Sequence, residues 1–158
     1  MARTRRYWLM KSEPTVFSIH DLRSAKNQTT CWDGVRNYQA RNYLRDEIKV
    51  GDGVLYYHSG FEPIGIAGEA VVVREGYPDT TAFDPNDIHY DPRSDPKNPS
   101  WYRVDVKFVR AGKEIITLKR LREIPALRKM MVLRRGRLSV QPVTREEWKV
   151  IMKLPEWG

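Results

Sequence analysis

The segment from residue 102 to residue 109 constrains the fold more than any other part of the chain. Residues 102, 104, 106 and 108 are Tyr, Val, Val and Phe, and the residues between them include Arg103, Asp105 and Lys107. A period of two is typical of a β-strand with one buried face. The Ala-Gly-Lys tripeptide at 111–113 is expected to turn the chain into an antiparallel partner strand at 114–118. The chain therefore has to build a sheet.

Further strands are predicted at residues 7–10, 54–59, 64–73 and 138–140, where short apolar runs end at turn-forming residues. Strands outnumber helices and are joined mostly by turns. This pattern favours an α+β fold in which a mixed, mostly antiparallel sheet forms a barrel flanked by short helices. We expect one domain over residues 1–158, with residues 1–6 as a flexible basic arm that includes Arg3, Arg5 and Arg6.

The predicted helices begin at recognisable capping residues. One opens at Ser18, and another is expected to be capped by Asp33 and to run to about residue 47 with Tyr38, Leu44 and Ile48 facing inward. Short helices are expected at 119–123 and, behind a proline, at 125–131. The last helix begins after a capping box formed by residues 144 and 147, a Thr and a Glu.

Residues 76–100 are predicted to form a long loop without regular structure. The segment holds five Asp and five Pro in twenty-five residues, which interrupts both helices and strands. Tyr77, Phe83, Ile88 and Tyr90 are spaced through it, and we expect them to anchor the loop to the body of the domain.

Charge and composition favour a polyanionic partner. Twenty-eight Lys and Arg against twenty Asp and Glu give a net charge of +8, and long-range attraction then favours nucleic acid, although many basic proteins have no such partner. No membrane-spanning apolar run and no signal-peptide pattern is recognisable, so we expect a cytoplasmic protein, and we expect a monomer. Cys31 is the only cysteine and is expected to be core filler rather than a nucleophile.

The segment 32–42, WDGVRNYQARN, is interpreted as one wall of a nucleobase pocket. An unstacked base presents two π-faces and a polar edge, so a reader needs aromatic plates together with amides, hydroxyls or carboxylates. The candidate plates are Trp8, Trp32, Tyr38, Tyr57 and Trp101, of which most Trp are expected to be core. The candidate edge readers are Ser12, Asp33, Asn37, Gln39 and Ser59.

A basic turn supplies candidate phosphate contacts. The turn and the residues before it could bind phosphate oxygens, since a guanidinium binds phosphate in a bidentate manner; the candidates are Arg134, Arg135, Lys129 and Arg128. A charged face that is only solvated explains this cluster of cations about equally well.

Motifs for metal binding, cofactor binding and catalysis are weak: three His are present without paired Cys or a metalloprotease spacing, and no phosphate-binding glycine loop occurs. We therefore expect no cofactor, no metal and no catalytic residue.

Several motifs in order resemble the EVE domain family: WLMKSEP at 8–14, WDGVRNYQARN at 32–42, GD at 51–52 with YHS at 57–59, and RLSVQP at 137–142. The resemblance covers residues 7–151. It implies a PUA-like barrel similar to the YTH readers of methylated adenine, and a binder of modified bases, modified cytosine in DNA above all. It also implies a pocket ringed by Lys11, Ser12, Trp32, Asp33, Gly34, Val35, Asn37, Tyr57, His58, Ser59, Arg137 and Ser139.

Three functions are compatible with these residues. The first is a non-enzymatic reader in which Trp32 stacks on an extruded base and Asp33 or Asn37 meets its polar edge. The second is an RNA-binding module, because the sequence does not separate the two sugars. The third is an enzyme acting on a base or nucleotide, with Asp33 and His58 as acid and base.

Overall fold

A single six-stranded sheet organises the chain in the computed structural model, which describes residues 4–158. The strands are β1 (Tyr7–Ser12), β2 (Thr29–Trp32), β3 (Gly53–His58), β4 (Gly65–Pro78), β5 (Tyr102–Thr117) and β6 (Val140–Val143). Their order is β2-β5-β4-β3-β1-β6. Among these six strands, β1 and β3 pair in parallel, and the other four neighbouring pairs are antiparallel. The predicted α+β class with a mixed, mostly antiparallel sheet is confirmed. Within residues 4–158 the edge strands β2 and β6 do not pair with each other, so the sheet is not closed and is a barrel only in a loose sense.

In the described part of the chain, four short α-helices flank the sheet: α1 (Ile19–Ser24), α2 (Tyr38–Asn42), α3 (Leu118–Arg122) and α4 (Arg145–Met152). The predicted capping of α1 and α4 is confirmed, since Ser18 with Asp21 and Thr144 with Glu147 form reciprocal capping boxes. The segment predicted as a helix at 125–131 is instead two separate 3-10 turns, Pro125–Leu127 and Met131–Leu133.

The sheet buries both of its faces along the central strands. In β1, Trp8 and Met10 belong to one apolar cluster and Leu9 to another, and in β3 Tyr56 and Tyr57 are divided in the same way. Successive side chains of a strand point to opposite faces, so a strand with two covered faces has to be apolar throughout. The helices cover these faces, which fixes the ends of β1 and β3 in place.

The second helix begins later than predicted. Its N-cap is Asn37, whose side-chain oxygen accepts the Ala40 N–H at 3.0 Å, rather than Asp33. Residues 33–37 thus form a loop. Leu44 and Ile48 are buried as predicted, but Tyr38 is 61% exposed.

The predicted hairpin at 111–113 is wrong. Residues 102–117 form one long strand, β5, that pairs with β4 on one side and with β2 on the other. Its register against β4 shifts from Gly68↔Ala111 to Ile66↔Ile116, so the small residues accommodate an irregularity within the strand rather than a turn. Strand β2 itself was not predicted, and the last strand lies at Val140–Val143 rather than at 138–140.

Two of the four predicted anchors of the loop between β4 and β5, Tyr77 and Phe83, are half-buried, and the Tyr77 hydroxyl donates to Asp105 on β5; the other two are exposed. Ile88 is 92% exposed and Tyr90 is 41% exposed. The Nε1 of Trp101 donates to Asp91 at 2.6 Å, and Asp79 is fully buried next to the short 3-10 turn Thr80–Phe83. Buried charge and hydrogen bonds therefore help to fix this loop, which apolar spacing alone does not reveal.

Candidate functional site

A cavity of about 370 Å³ opens between the end of β1 and strand β2. The β1 side is lined by Lys11, Ser12, Glu13, Val16 and Phe17, and the β2 side by Thr30, Cys31, Trp32, Asp33 and, from the β4–β5 loop, His89. Strands β5, β4 and β3 lie between β2 and β1 in the sheet. The sheet must therefore curve for both strands to border one cavity.

Trp32 forms an apolar wall of this cavity. It is only 8% exposed, and its ring meets the Tyr56 ring edge-on at a centroid distance of 5.2 Å and an angle of 84°. Pairing with Val104 on β5 fixes its backbone. The indole is held rigidly, as a stacking surface should be, since little conformational entropy is then lost on binding.

The turn after β1 is tied down through one carbonyl group. The Phe17 carbonyl accepts hydrogen bonds from Ser12 Oγ at 2.8 Å and from Tyr56 Oη at 2.6 Å. Burial raises the pKa of the Tyr56 hydroxyl, which therefore stays protonated and keeps donating. These bonds place the side chains of residues 12–17 at the cavity rim.

Lys11 connects the cavity to the basic turn at 134–137. Its Nζ donates to the Gly136 carbonyl at 2.5 Å and lies 5.5 Å from the centroid of the Tyr57 ring. Its backbone N–H donates to the Ser139 carbonyl at 2.9 Å. Burial lowers the pKa of Lys11. The basic turn is thus held beside the cavity mouth.

His89 reaches the cavity because Gly34 leaves room for it. Gly34 has a φ of +74°, and a Cβ at this position would lie 2.5 Å from two atoms of the His89 ring. The Arg36 guanidinium donates to the His89 carbonyl at 3.1 and 2.7 Å. The same guanidinium pairs with Asp79 at 3.0 Å, so His89 is positioned by an ion pair that begins in the protein interior.

Asp79 is the buried end of this network. Burial opposes its ionisation, but hydrogen bonds from Thr81, from the Gly34 N–H at 2.8 Å and from Arg36 at 3.0 Å hold the pKa of this carboxyl below its ordinary value. An ionised carboxylate with several donors is the arrangement in which burial of charge is tolerated. Asp79 therefore fixes both the loop that precedes α2 and the loop that carries His89.

Cys31 does not have the environment of a reactive thiol. Burial and the neighbouring Asp33 carboxylate raise its pKa, and its Sγ lies 3.7 Å from Asp33 Oδ2. A reactive cysteine needs a lowered pKa, because the thiolate is the nucleophile. Cys31 is half-buried and lines the cavity as a small apolar group, rather than filling the core as predicted.

Of the twelve residues that the resemblance placed around the pocket, Lys11, Ser12, Trp32 and Asp33 line the cavity, and Gly34 packs against His89, which also lines it. Asn37 does not line it, because its side-chain oxygen caps α2. Val35 is buried in the core, and so is Tyr57, which is only 2% exposed. Capping by the Asn37 oxygen and packing of the Tyr57 ring thus leave both residues off the cavity lining, and their roles as edge reader and plate stay predictions.

Three of the four remaining members of that set contact the segments next to the cavity. His58 is buried, and its Nε2 accepts the Ile19 N–H at 3.1 Å, while burial lowers its pKa. The Ser59 N–H donates to the Ser12 carbonyl at 3.0 Å. The Ser139 carbonyl accepts the Lys11 N–H, and Arg137 is exposed on the basic turn and does not line the cavity.

The four predicted phosphate contacts lie in three different places. Arg135 donates to the side chain of Gln39 at 3.0 Å, near the start of α2. Lys129 and Arg134 line a second cleft at the opposite end of β1, and Arg128 is exposed outside both cavities.

Sequence reasoning missed six lining residues: Glu13, Val16, Phe17, Thr30, Cys31 and His89. The run Thr-Thr-Cys-Trp at 29–32 was a signal for β2, because β-branched and aromatic residues favour strands. His89 had no such signal, since it is brought to Gly34 only by the Arg36–Asp79 network.

Metal-ligand clusters and membrane-spanning helices were sought among residues 4–158. No group of three or more His, Cys, Asp or Glu side chains there is placed to hold a metal ion. Over the same range, no helix has the length and apolar character needed to cross a membrane.

The fold and the cavity define a small basic α+β domain whose ligand-sized pocket has an indole wall and a cationic rim. The chain belongs to the EVE domain family, whose family model matches residues 6–154.

Named relatives and solved structures agree with this membership. Thymocyte nuclear protein 1 of Homo sapiens is 46% identical over 167 residues, which span 95% of this chain and 74% of that protein. A protein from Leishmania major has a structure with a TM-score of 0.91 and 46% identity, over 96% of this chain and 95% of that one. Human THYN1 protein, in complex with DNA containing 5-methylcytosine, has a TM-score of 0.89 and 46% identity, over 93% of this chain and 95% of that one.

Proposed function

We propose that this protein is a non-enzymatic reader that captures one modified cytosine from DNA in the cavity beside Trp32. The observation that carries the proposal is the likeness, at 46% identity over nearly the whole chain, to the human protein solved with 5-methylcytosine DNA. The cavity volume of about 370 Å³ lies in the range of small-ligand pockets. The net charge of +8 supports approach to a polyanion.

In this proposal each wall of the cavity meets a different part of the base. The Trp32 indole stacks on the ring, and Phe17 offers apolar surface to the methyl group. Asp33 accepts from the exocyclic amino group of cytosine, which thymine lacks. Lys11 and the basic turn beside it contact the adjacent phosphates.

The geometry of His58 argues against an enzyme that uses Asp33 and His58 as acid and base. His58 is only 7% exposed, does not line the cavity, and its Nε2 already accepts the Ile19 N–H. A general acid or base has to reach the proton that it transfers. His58 supports the turn instead.

Binding of fluorescent oligonucleotides that differ only in one base, 5-methylcytosine, cytosine or thymine, tests the proposal. Base stacking on an aromatic ring contributes about 1–3 kcal/mol, so Trp32→Ala should weaken binding of the methylated oligonucleotide roughly 5- to 150-fold. Asp33→Asn should reduce discrimination between 5-methylcytosine and thymine. Matched RNA oligonucleotides distinguish a DNA reader from an RNA-binding module.

Trp157→Ala is the matched control, because Trp157 is 9% exposed, compared with 8% for Trp32, and its Nε1 donates to the Ile151 carbonyl, away from the cavity. Both variants lose a buried indole, so a loss of stability alone affects both. Equal affinity of the wild-type protein for all three oligonucleotides, or equal losses in the two variants, would contradict the proposal.

A further inference from the structure

A second cleft of about 370 Å³ lies at the beginning of β1, away from the cavity beside Trp32. Its charged lining consists of Arg5, Arg6, Lys129, Arg134 and Arg145, together with one carboxylate, Glu147. Glu147 is committed to its own helix, where its Oε1 accepts the Thr144 N–H at 2.9 Å. Five cations therefore share a concave surface with one engaged anion.

Among the described residues, Arg6 is ion-paired and Arg5 donates to a backbone carbonyl, whereas the side chains of the other three cations have neither kind of partner. Within residues 4–158, no carboxylate oxygen lies within 4.0 Å of the side-chain nitrogens of Lys129, Arg134 or Arg145. All three are exposed. Arg145 is also the first residue of α4, where the helix dipole disfavours a positive charge. Neither ion pairing nor helix stability accounts for this concentration of charge, whereas an anionic ligand does.

Residues 5 and 6 belong to this surface in the folded protein. The Arg5 Nε donates to the Gly51 carbonyl at 2.8 Å, and its guanidinium lies 5.2 Å from the centroid of the Tyr7 ring. Arg6 pairs with Glu47 at 3.2 Å. The predicted flexible arm starts outside the described residues, and Arg3 lies there too, but its last two residues contact the body of the domain.

The basic turn at 134–137 joins the two cavities. Arg134 lines the second cleft, and two residues later the Gly136 carbonyl accepts from Lys11 at the rim of the first. Along β1, Tyr7 and Lys11 are four residues apart, which is about 13 Å at the rise of a β-strand. A single nucleic-acid strand can span that distance.

We propose that the second cleft binds the phosphodiester backbone of the nucleic acid that flanks the captured base. The ligand is the sugar–phosphate chain, not a base, because the cleft offers guanidinium and ammonium groups around a modest aromatic surface. The inference rests on the proposed function for the identity of the nucleic acid. It adds a second contact region, whose contribution to affinity is predicted not to depend on which base is captured in the first cavity.

The test compares two triple variants with the same change in charge. Lys129→Ala/Arg134→Ala/Arg145→Ala removes the unpaired cations of the cleft. Lys26→Ala/Lys107→Ala/Lys113→Ala removes three cations outside both cavities. Binding to a methylated and an unmethylated duplex is measured between about 50 and 200 mM salt, as about one counterion is released per phosphate contact.

The cleft variant should lower the slope of log K against log salt by about 2–3 and weaken binding roughly 10- to 100-fold at about 0.1 M salt, equally for both duplexes. The control variant should keep most of the wild-type slope. Equal slopes and affinities for the two triple variants overturn the cleft proposal, while a retained preference for the methylated duplex leaves the reader function standing. Equal binding of both duplexes by the wild-type protein overturns the reader function, yet a slope change confined to the cleft variant still supports the cleft. Absence of binding to either duplex overturns both.

Discussion

Gly34→Ala is a sharp test of the packing that places His89 in the cavity. Gly34 has a φ of +74°, in the left-handed region where a side chain is strained. The added Cβ would also lie 2.5 Å from His89 Cε1 and Nε2. The ring cannot retreat with its backbone, because Arg36 holds the His89 carbonyl by two hydrogen bonds.

The loss of folding stability expected for Gly34→Ala has two parts, backbone strain and steric overlap with the His89 ring. The left-handed conformation costs a non-glycine residue about 1–2 kcal/mol. Forcing an extra methyl group into a packed contact costs a further 1–3 kcal/mol or so, reduced to the extent that the half-exposed ring can swing aside. We expect Gly34→Ala to lower the free energy of unfolding by about 3.5 kcal/mol, the sum of the midpoints of these two ranges.

Two matched variants separate the two parts. Gly51 has a φ of +92°, and no atom outside its immediate neighbours lies within 4 Å of the position that a Cβ would occupy, so Gly51→Ala should cost only the backbone strain of about 1–2 kcal/mol. In the His89→Ala background, Gly34→Ala should cost the same smaller amount, since the ring is gone. Urea unfolding of the four proteins in the Gly34–His89 cycle measures the coupling directly.

A coupling energy near zero would refute the reasoning. It would mean that the His89 ring does not occupy the space above Gly34, or that it leaves this space at no cost. Gly34→Ala would then cost no more than Gly51→Ala, and the assignment of His89 to the cavity wall would be wrong.

Three further predictions concern the network and the cavity. Asp79→Asn should lower the free energy of unfolding, measured by urea denaturation, by about 3 kcal/mol, because it leaves the Arg36 cation without its buried partner. A loss below about 0.5 kcal/mol, as at a surface site, would contradict this prediction. Burial lowers the pKa of His58, so the unfolded chain binds the proton more readily than the folded protein does. The contribution of His58 to stability should therefore be full above about pH 6.5 and decline as the pH falls below that value. In thermal unfolding, His58→Gln should lose this part of the pH dependence, and parallel curves for the two proteins would argue against it. Cys31 lines the cavity, so saturating methylated oligonucleotide should slow its alkylation, followed by mass spectrometry; an unchanged rate would place the ligand elsewhere.

Secondary structure was predicted correctly from the sequence where neighbouring residues alone determine it. The capping boxes at Ser18 and Thr144 and the first strand were predictable, because each depends on contacts within a few residues or on a short apolar run. The same reasoning failed at 111–113, where small residues were interpreted as a turn. Pairing with β4 keeps that segment extended, and pairing is a tertiary property.

For the cavity too, part of the lining could be predicted from the sequence and part depended on the tertiary structure. Residue chemistry and motif order were enough to select Trp32 and Asp33, with Lys11 and Ser12, as candidates, because these residue types suit base recognition and their motifs match one family. Packing in three dimensions was needed to show that Asn37 and His58 are engaged elsewhere and that His89 completes the wall. Whether a side chain is free to bind depends on which backbone groups it already satisfies, and those groups come from segments far apart in the chain.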